Sequence, residues 1–245
     1  MRLIKSNVDY KYKTPKIIAI TGGHGRFAQT LRKIGMNFKV YYPSKKKLNI
    51  LNFNSIVNFI KKKKINYLIH NAALSRPMSI HDKEISKSID LNIIGTANVV
   101  KACKLFNTKL IYFSTGYLYE GIKGNYSEDD PIKPINNYAW SKLGGECSVQ
   151  MYKNSLILRL IMCEKPFLHN KAFFDVETNF MYHDDFAQIL PKLLDCKGIL
   201  NVGGKIQSVY EFAKESNKRI KKISGKKIFP TKLSMNISKL LKIIK

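Results

Sequence analysis

The sequence is poor in acidic residues. Its 245 residues include 43 Lys and Arg but only 17 Asp and Glu, which gives a formal net charge of +26 at pH 7. Between Tyr10 and His81 there is no acidic side chain at all. The basic residues are scattered, and they are not interleaved with aromatic residues as base-stacking surfaces require. We therefore expect no nucleic-acid partner in spite of the charge.

Cysteines and long apolar runs are also scarce. The chain has four cysteines without a Cys-x-x-Cys pair, and we expect them to be reduced thiols in the core. Its five histidines lack metal-ligand spacing, so no metal site is predicted. No apolar run reaches the roughly 18–20 residues that span a bilayer, and the N-terminus lacks a signal-peptide apolar region. These features predict a cytoplasmic chain without a membrane span.

Short apolar runs alternate with amphipathic stretches along the chain, and the two kinds of segment have the lengths of strands and helices. Crossovers of this length predict an α/β fold built on a doubly wound, mostly parallel sheet. The predicted strands cover residues 16–20, 38–42, 67–70, 110–113, 156–160 and 198–204.

Helical spacing predicts several connecting segments. One helix is expected to be capped by Asn54-Ser55, another to begin at the acidic pair after His183, and a third to run from Ser208 to residue 218. A long helix is expected over residues 86–106. Its predicted inward-facing residues are Ile89, Ile93, Ala97 and Val100.

A glycine-containing loop directly follows the first predicted strand. Residues 21–28 read Thr-Gly-Gly-His-Gly-Arg-Phe-Ala and lead into a helix that Gly35 is expected to end. Gly22 and Gly25 let the backbone approach a pyrophosphate, whose charge is favoured at a helix N-terminus. Ala28 supplies the small residue that close packing of helix on strand requires. Strand, glycine loop and helix in this order predict a dinucleotide-binding site.

The lack of acidic residues bears on which dinucleotide binds. Folds that prefer NAD usually carry Asp or Glu about 20 residues after the glycine loop, to bind the ribose 2′-hydroxyl. Here the second strand ends in Tyr-Pro-Ser followed by three lysines at 45–47, and Arg26 lies in the loop. We therefore favour NADP(H) over NAD(H). The alternative is that a lysine-rich composition simply replaced the acid.

A hydroxyl, a phenol and an ammonium follow one another later in the chain. Ser114-Thr115 closes the strand at 110–113, and Tyr138 precedes Lys142 by one helical turn. Five other Tyr and Lys pairs share this spacing, so only the ordered context selects this one. Tyr138 is the predicted general acid, and Lys142 is predicted to lower the pKa of its phenol. Thr115 is predicted to hydrogen-bond the substrate oxygen.

In this order, the motifs resemble the extended short-chain dehydrogenase/reductase superfamily over residues 16–215. Residues 114–121, 126–131 and 137–146 resemble its dTDP-4-dehydrorhamnose reductase branch. The resemblance implies Thr115, Tyr138 and Lys142 as catalytic residues. The cofactor-binding residues that it implies are Gly22, Gly25, Arg26, Phe27, Asn71, Ala72, Ala73, Asn92 and Lys142, with Asn92 also shaping the active site. The substrate-binding residues expected are Ser75, Gly116, Tyr117, Asn137 and Arg159.

The sequence departs from this branch at three places. Asn49 stands where the branch often has an Asp beside the adenine, which predicts a looser contact. Arg159 is not followed by the usual Thr-Ser-Trp, so an aromatic substrate wall is expected to be missing. The segment before His183 is short, which predicts a reduced substrate pocket.

The resemblance implies an α/β, Rossmann-like fold with a small, shortened C-terminal substrate lobe. We expect a basic arm at 1–15, an NAD(P)-binding domain at 16–160, and the lobe with returning elements and a basic tail at 161–245. The tail has apolar residues at helical spacing and is expected to dock on its own domain, with a partner or membrane surface as the alternatives. These apolar residues are Leu233, Ile237, Leu240, Leu241 and Ile244.

The resemblance implies an NAD(P)H-dependent reductase of a 4-keto nucleotide sugar in deoxysugar or surface-polysaccharide biosynthesis. A sugar-nucleotide epimerase of the same superfamily is one alternative. Another is a non-catalytic NADP-binding regulatory subunit, for which the β subunit of methionine adenosyltransferase is the precedent. A dehydratase is disfavoured because Gly116-Tyr117 replaces the Asp-Glu pair that such enzymes carry. A homodimer is one option for assembly.

Overall fold

The structure is a computed structural model and describes residues 16–245, so the predicted arm at 1–15 lies outside the described residues. Its strands are β1 Ile17–Thr21, β2 Lys39–Tyr41, β3 Tyr67–His70, β4 Lys109–Phe113, β5 Ser155–Leu160, β6 Met162–Cys163, β7 Lys171–Phe173, β8 Glu177–Thr178, β9 Met181–Tyr182, β10 Gly198–Val202, β11 Gln207–Ser208 and β12 Lys221–Ile223. Its α-helices are α1 Arg26–Ile34, α2 Phe53–Lys63, α3 Ile80–Lys83, α4 Ile85–Ser88, α5 Gly95–Leu105, α6 Asn137–Gln150, α7 His183–Leu193, α8 Val209–Lys214 and α9 Ser238–Ile244. A π-helical segment, Ile89–Ile94, joins α4 to α5, and a 3₁₀ turn, Gly116–Leu118, follows β4.

Six strands form a parallel sheet in the order β10-β5-β4-β3-β1-β2. The predicted α/β fold with a doubly wound parallel sheet is therefore confirmed. The strand order reverses between β1 and β3, because β2 lies on one side of β1 and the later strands lie on the other. In open α/β sheets, ligands bind outside the carboxyl ends of the strands at such a switch point.

Helices cover both faces of the sheet. Successive side chains along a strand point to opposite faces, and here both faces carry apolar side chains that have to be buried. Ile18 and Ile20 of β1 pack in one core with α1 and α7, whereas Ala19 packs in the other with α2 and α5. In β4, Ile111 belongs to the first core and Leu110 to the second. The sheet is thus buried on both sides, and its carboxyl edge is where a site can open.

The predicted long helix at 86–106 is interrupted by the π-helical segment, and its inward face differs from the prediction. Ile89 is 41% exposed, while Asn92, Thr96 and Val99 are buried. A π-helical turn contains more residues than an α-helical turn. Residues before and after this segment therefore do not lie on one face, as a constant 3.6 residues per turn would place them. The prediction that Ile89 faces inward is therefore wrong, and a buried Asn takes the inward position.

Two further local predictions need correction. The cap of α2 is Asn52, whose side chain accepts a hydrogen bond from the Ser55 N–H, and not Asn54-Ser55. The helix that begins after Ser208 is confirmed with its cap, but it ends at Lys214. Gly35 ends α1 with a φ of 80°, as expected.

The basic tail docks on its own chain. Leu240 of α9 is fully buried in the core on one face of the sheet, and Ile237 and Ile244 pack against that core. Lys239 forms an ion pair with Glu128 at 3.1 Å. The prediction of docking on its own domain is confirmed, except that Leu233 lies outside α9 in a separate apolar cluster.

The four cysteines are unpaired thiols. Cys103 and Cys163 are buried as predicted, but Cys147 is exposed and Cys196 is only half-buried, so the expectation of core positions fails for these two. Within residues 16–245 there is no helix long and apolar enough to cross a membrane, and no cluster of three or more potential metal ligands.

Candidate active site

The glycine loop lies at the switch point, between the carboxyl end of β1 and the start of α1. Gly22 has a φ of 65°, and a Cβ there would lie 3.0 Å from the Ala72 Cα. Gly25 caps α1 without a side-chain hydrogen bond, and the first turn of the helix contains no acidic residue. The first N–H groups of a helix lack intrahelical partners. The loop therefore leaves room and donors for a phosphate group, as the glycine spacing predicted.

Thr21, which was not predicted as a site residue, joins this loop to the loop after β3. Its Oγ1 accepts hydrogen bonds from the Asn71 N–H at 3.1 Å and from the Ala72 N–H at 3.0 Å. It also lies 2.8 Å from Nδ1 of His70. Burial lowers the pKa of His70 to about 3, with Lys142 contributing, so the ring is neutral. A Thr at the end of a strand before a glycine loop was the available signal.

The side chain of Asn92, which is predicted to touch the cofactor, is hydrogen-bonded to other parts of the protein. Its Oδ1 accepts a hydrogen bond from the Leu74 N–H at 2.8 Å, and its Nδ2 donates to the Leu74 carbonyl and to the Ser141 Oγ. Ser141 in turn donates to the Tyr138 carbonyl at 2.7 Å. The buried amide is fully committed to protein groups. It ties the loop after β3 to α6, which agrees with the expectation that it shapes the site.

Thr115 and Tyr138 meet at the carboxyl end of β4. Thr115 is buried, and its Oγ1 accepts a hydrogen bond from the Tyr117 N–H at 3.3 Å. Burial raises the pKa of Tyr138, the neighbouring Tyr117 raises it further, and a hydrogen bond with Thr115 lowers it. The structure thus places two of the predicted catalytic groups close together, with a protonated phenol.

Lys142 lies one turn after Tyr138 on α6 and is buried. Its Nζ is 4.2 Å from the centroid of the Tyr112 ring, and Tyr112 donates a hydrogen bond to the Lys142 carbonyl at 3.0 Å. Burial lowers the pKa of Lys142 to about 7, although Glu146 acts in the opposite direction. In the protein alone, burial holds the pKa of Tyr138 above its ordinary value, and Lys142 is not among the groups that shift it. The lowering that we predict involves the charge of the nicotinamide as well as that of Lys142.

Arg159 is not brought to the substrate side of the site. Its Nη2 and Nε donate to Oε1 of Glu146 at 2.7 and 3.1 Å, and its Nη1 donates to the Tyr119 hydroxyl at 2.9 Å. Ser114 donates to the other oxygen of Glu146. The guanidinium is thus occupied by protein groups behind the strand end that carries Thr115, and the substrate contact of Arg159 stays a prediction.

The other predicted substrate residues differ in their burial and in their contacts. Tyr117 packs edge-on against Tyr138, with ring centroids 6.5 Å apart. Gly116 is buried, and a Cβ there would lie 2.9 Å from side-chain atoms of Ile161. Asn137 is exposed and donates to Asp82 at 2.7 Å, which leaves it at the rim. Ser75 is half-buried in the loop after β3.

His81 is a neighbour of Tyr138 that no sequence pattern indicated. It is buried, and its ring centroid lies 5.1 Å from that of Tyr138. Its Nδ1 lies 2.7 Å from the Ser88 Oγ, while its Nε2 is buried without a hydrogen-bond partner. Burial lowers its pKa, so a neutral imidazole faces the phenol.

A cavity of about 520 Å³ adjoins the site through Tyr117. Carboxylates are absent from the described residues that line it, and the Thr178 Oγ1 is buried beside it without a partner. Residues 160–163, which directly follow Arg159, supply no aromatic ring, but aromatic rings from the C-terminal elements line this cavity. They are Phe167, Phe173, Phe180 and Phe229.

The RmlD substrate binding domain family matches residues 16–163 of this chain. The chain belongs to this family. Among curated proteins, dTDP-4-dehydrorhamnose reductase from Aggregatibacter actinomycetemcomitans is 29% identical over 147 residues, covering 58% of this chain and 50% of that protein. Methionine adenosyltransferase 2 subunit beta from Bos taurus is 29% identical over 154 residues, covering 60% of this chain and 46% of that protein. The matched part thus spans about half the length of these relatives.

Solved structures agree on the fold. The dTDP-4-dehydrorhamnose reductase from Bacillus anthracis str. Ames, in complex with NADP, superposes with a TM-score of 0.83 at 22% identity, covering 94% of this chain and 93% of that chain. A hypothetical dTDP-4-dehydrorhamnose reductase from Sulfolobus tokodaii gives 0.79 at 24% identity, covering 94% and 95%. At this level of identity, the similarity shows a shared Rossmann-like fold.

In this family member, the last turn of α1 carries an arginine that sequence reasoning did not single out, and its side chain lies against the residue that follows β2. The Arg32 guanidinium lies 4.6 Å above the Tyr42 ring, and its Nη2 donates to the Gly23 carbonyl at 3.5 Å. Asn49, the expected adenine neighbour, instead accepts a hydrogen bond from the Leu51 N–H. The lack of acidic residues between Tyr10 and His81 is thus accompanied by the positive charge of Arg32 near the end of β2.

Proposed function

We propose that this protein is an NADPH-dependent reductase of a keto group on a nucleotide sugar. The observation that carries the proposal is the proximity of Thr115 to Tyr138, with Lys142 one turn away on α6, at the carboxyl end of β4. A dTDP-4-dehydrorhamnose reductase among the curated relatives, and an NADP complex among the structural neighbours, support it.

The crevice residues fit a nicotinamide dinucleotide. The glycine loop with Arg26 and Phe27 would hold the diphosphate, and the loop at Asn71-Ala72-Ala73 would lie along the nucleotide. Arg32 and the absence of acidic residues favour a 2′-phosphate, and therefore NADP(H). When bound, such a cofactor supplies the hydride that reduces a carbonyl carbon.

The protein's own groups supply the proton. Tyr138 would donate its phenolic proton to the substrate oxygen, while the Thr115 hydroxyl holds the same oxygen in place. The raised pKa of Tyr138 keeps the phenol protonated before reaction. The resulting phenolate needs a nearby positive charge, and Lys142, with its pKa lowered to about 7, supplies that charge at and below neutral pH.

The aromatic cavity next to Tyr117 would receive the part of the substrate remote from the keto group. Its rings suit a flat nucleobase, and the unpartnered Thr178 hydroxyl could bond to one polar edge atom. The sugar, its nucleotide and a place in deoxysugar or surface-polysaccharide biosynthesis follow from the family relationship alone. The domain boundaries at 16–160 and 161–245, and a homodimer, stay predictions.

A second candidate function is that of an NADP-binding regulatory subunit. It is favoured by the match to methionine adenosyltransferase 2 subunit beta over about the same part of the chain. The assembled Thr115, Tyr138 and Lys142 favour the enzyme. An epimerase of the same superfamily would use the same site, but it would retain its dinucleotide through purification.

The test is NADPH oxidation by the purified protein with a panel of 4-keto-6-deoxy sugar nucleotides, with products identified by mass spectrometry. We expect turnover of at least one member and a product two hydrogens heavier than the substrate. Turnover of none of them, together with tight NADPH binding, would favour the regulatory subunit. Interconversion of 4-hydroxy sugar nucleotides without net oxidation of NADPH would favour the epimerase.

A further inference from the structure

One carboxylate joins the two loops of the proposed cofactor crevice. Glu164, directly after β6, accepts a hydrogen bond from Arg76 Nη1 on its Oε2 at 3.2 Å. Arg26 Nε lies 2.8 Å from the other oxygen, Oε1, without hydrogen-bond geometry. Arg26 is the first residue of α1 at the glycine loop, and Arg76 lies in the loop after β3. The carboxylate therefore lies across the switch point of the sheet.

His183 is a third group beside this carboxylate. The pairing of β6 with β9 brings His183, at the start of α7, next to Glu164. Burial lowers the pKa of His183, and Glu164 raises it. The ring is only 6% exposed, and its Nδ1 has no hydrogen-bond partner. Buried polar atoms without partners are rare in native proteins and indicate a place for a missing group.

The ion pairs of Glu164 with Arg26 and Arg76 contribute little to the stability of the fold. Side chains of Arg26 and Arg76 are 50% and 37% exposed, and exposed ion pairs contribute little. Two arginines and an imidazole around one carboxylate are, in contrast, the groups that bind phosphate oxygens. Glu164 itself has the charge and the oxygen geometry of such a ligand.

We propose that Arg26, Arg76 and His183 form a binding site for the diphosphate of the dinucleotide, and that Glu164 occupies this site until the diphosphate displaces it. The proposal rests on the proposed function for the identity of the ligand. The cofactor is chosen over the diphosphate of a sugar nucleotide because Arg26 begins the helix at the glycine loop. Neither Arg76 nor Glu164 belongs to the motifs of the sequence.

The test is isothermal titration of NADP⁺, and separately of dTDP, into wild type, Glu164→Gln, Glu164→Ala and Arg76→Gln. NADP⁺ binds only to molecules in which Glu164 has left the site. The apparent affinity for NADP⁺ is therefore the intrinsic affinity multiplied by the fraction of molecules with an open site. We expect both Glu164 variants to bind NADP⁺ about tenfold more tightly than wild type, and Arg76→Gln to bind it about tenfold more weakly. Glu84→Gln, which breaks an exposed pair with Lys87, controls for the change in net charge.

Several outcomes would overturn the proposal. Unchanged or weaker NADP⁺ binding by both Glu164 variants would show that Glu164 does not compete for the site, and an equal gain in Glu84→Gln would reduce the effect to net charge. If the Glu164 variants bound dTDP more tightly and NADP⁺ with unchanged affinity, the site would bind the diphosphate of the substrate and not that of the cofactor. Unfolding midpoints measured on each variant separate these outcomes from misfolding. Because the readout is binding, a protein without reductase activity can still give the expected result.

Discussion

Arg159 and Glu146 form an ion pair that is almost completely buried, with 3% and 0% of their side chains exposed and 2.7 Å between Arg159 Nη2 and Glu146 Oε1. The pair lies directly behind Ser114, whose hydroxyl donates to the other oxygen of Glu146. It fixes α6, which carries Tyr138, against the strands β4 and β5. The arginine is therefore a structural support of the site.

Replacing Arg159 with Met should destabilise the protein by about 3–5 kcal/mol, because Glu146 would remain as an uncompensated buried charge. The double variant Arg159→Met/Glu146→Gln should regain part of this loss, since it removes both charges. Urea denaturation measures both. Lys133→Met, which breaks an exposed pair with Glu120, serves as the control and should leave stability nearly unchanged. A substrate role for Arg159 would instead appear as a raised KM at unchanged stability.

Asn92→Ala should cost about 2–3 kcal/mol, because a buried side chain loses its two hydrogen bonds to the loop after β3 and its one hydrogen bond to α6. Asn98→Ala, six residues later, removes a single bond from Nδ2 to the Ile50 carbonyl and should cost about 1 kcal/mol or less. Thermal unfolding of the two variants measures the difference. Equal losses would mean that Asn92 does not join the two elements as described.

Local patterns predicted most of the fold, and long-range packing accounts for what they missed. The alternation of Ile18, Ala19 and Ile20 and the cap at Ser208 are set by near neighbours, so their elements were predictable. The exposure of Ile89 depends on a π-turn, and the partner of Arg159 lies on another element. Neither is encoded in spacing alone.

In the candidate site too, the order of residues along the chain was predictable, whereas the properties that depend on tertiary packing were not. Thr115, Tyr138 and Lys142 were identified by their order along the chain. The contact of His81 with Tyr138, and the lowered pKa of Lys142, depend on how densely α3, α6 and the sheet pack together. Burial by tertiary structure sets these properties, so a sequence pattern could not predict them.

Lys142→Met should stabilise the protein near pH 7 by removing a buried amine. The lysine has a pKa of about 7 when folded and 10.5 as its ordinary value, so between these values the unfolded chain holds a proton that the folded protein has lost. The free energy of unfolding of wild type therefore rises with pH in this window, relative to the variant. We expect the advantage of the variant to shrink from pH 7 to pH 8.5, by at most about 1.4 kcal/mol per pH unit. A pH-independent difference in urea denaturation would contradict the lowered pKa.

Arg32→Ala should weaken the binding of NADPH about tenfold and leave that of NADH nearly unchanged, because a hydrogen bond to a charged group contributes about 1.5–3 kcal/mol. Fluorescence titration with both dinucleotides measures the ratio. Lys33→Ala, which removes an exposed charge in the same last turn of α1, serves as the control. Equal losses for NADPH and NADH would remove the basis for a preference for NADP(H).

The most direct test of the proposed chemistry compares NADPH oxidation by wild type, Tyr138→Phe and Tyr210→Phe in the presence of a 4-keto sugar nucleotide. Tyr210 precedes Lys214 with the same spacing, but it lies on α8 and not on the helix that carries Tyr138. We predict that Tyr138→Phe lowers the rate at least about 100-fold, as loss of a general acid does, while its affinity for NADPH stays unchanged. Tyr210→Phe should retain the wild-type rate. Equal rates in wild type and Tyr138→Phe would contradict the assignment of Tyr138 as the proton donor.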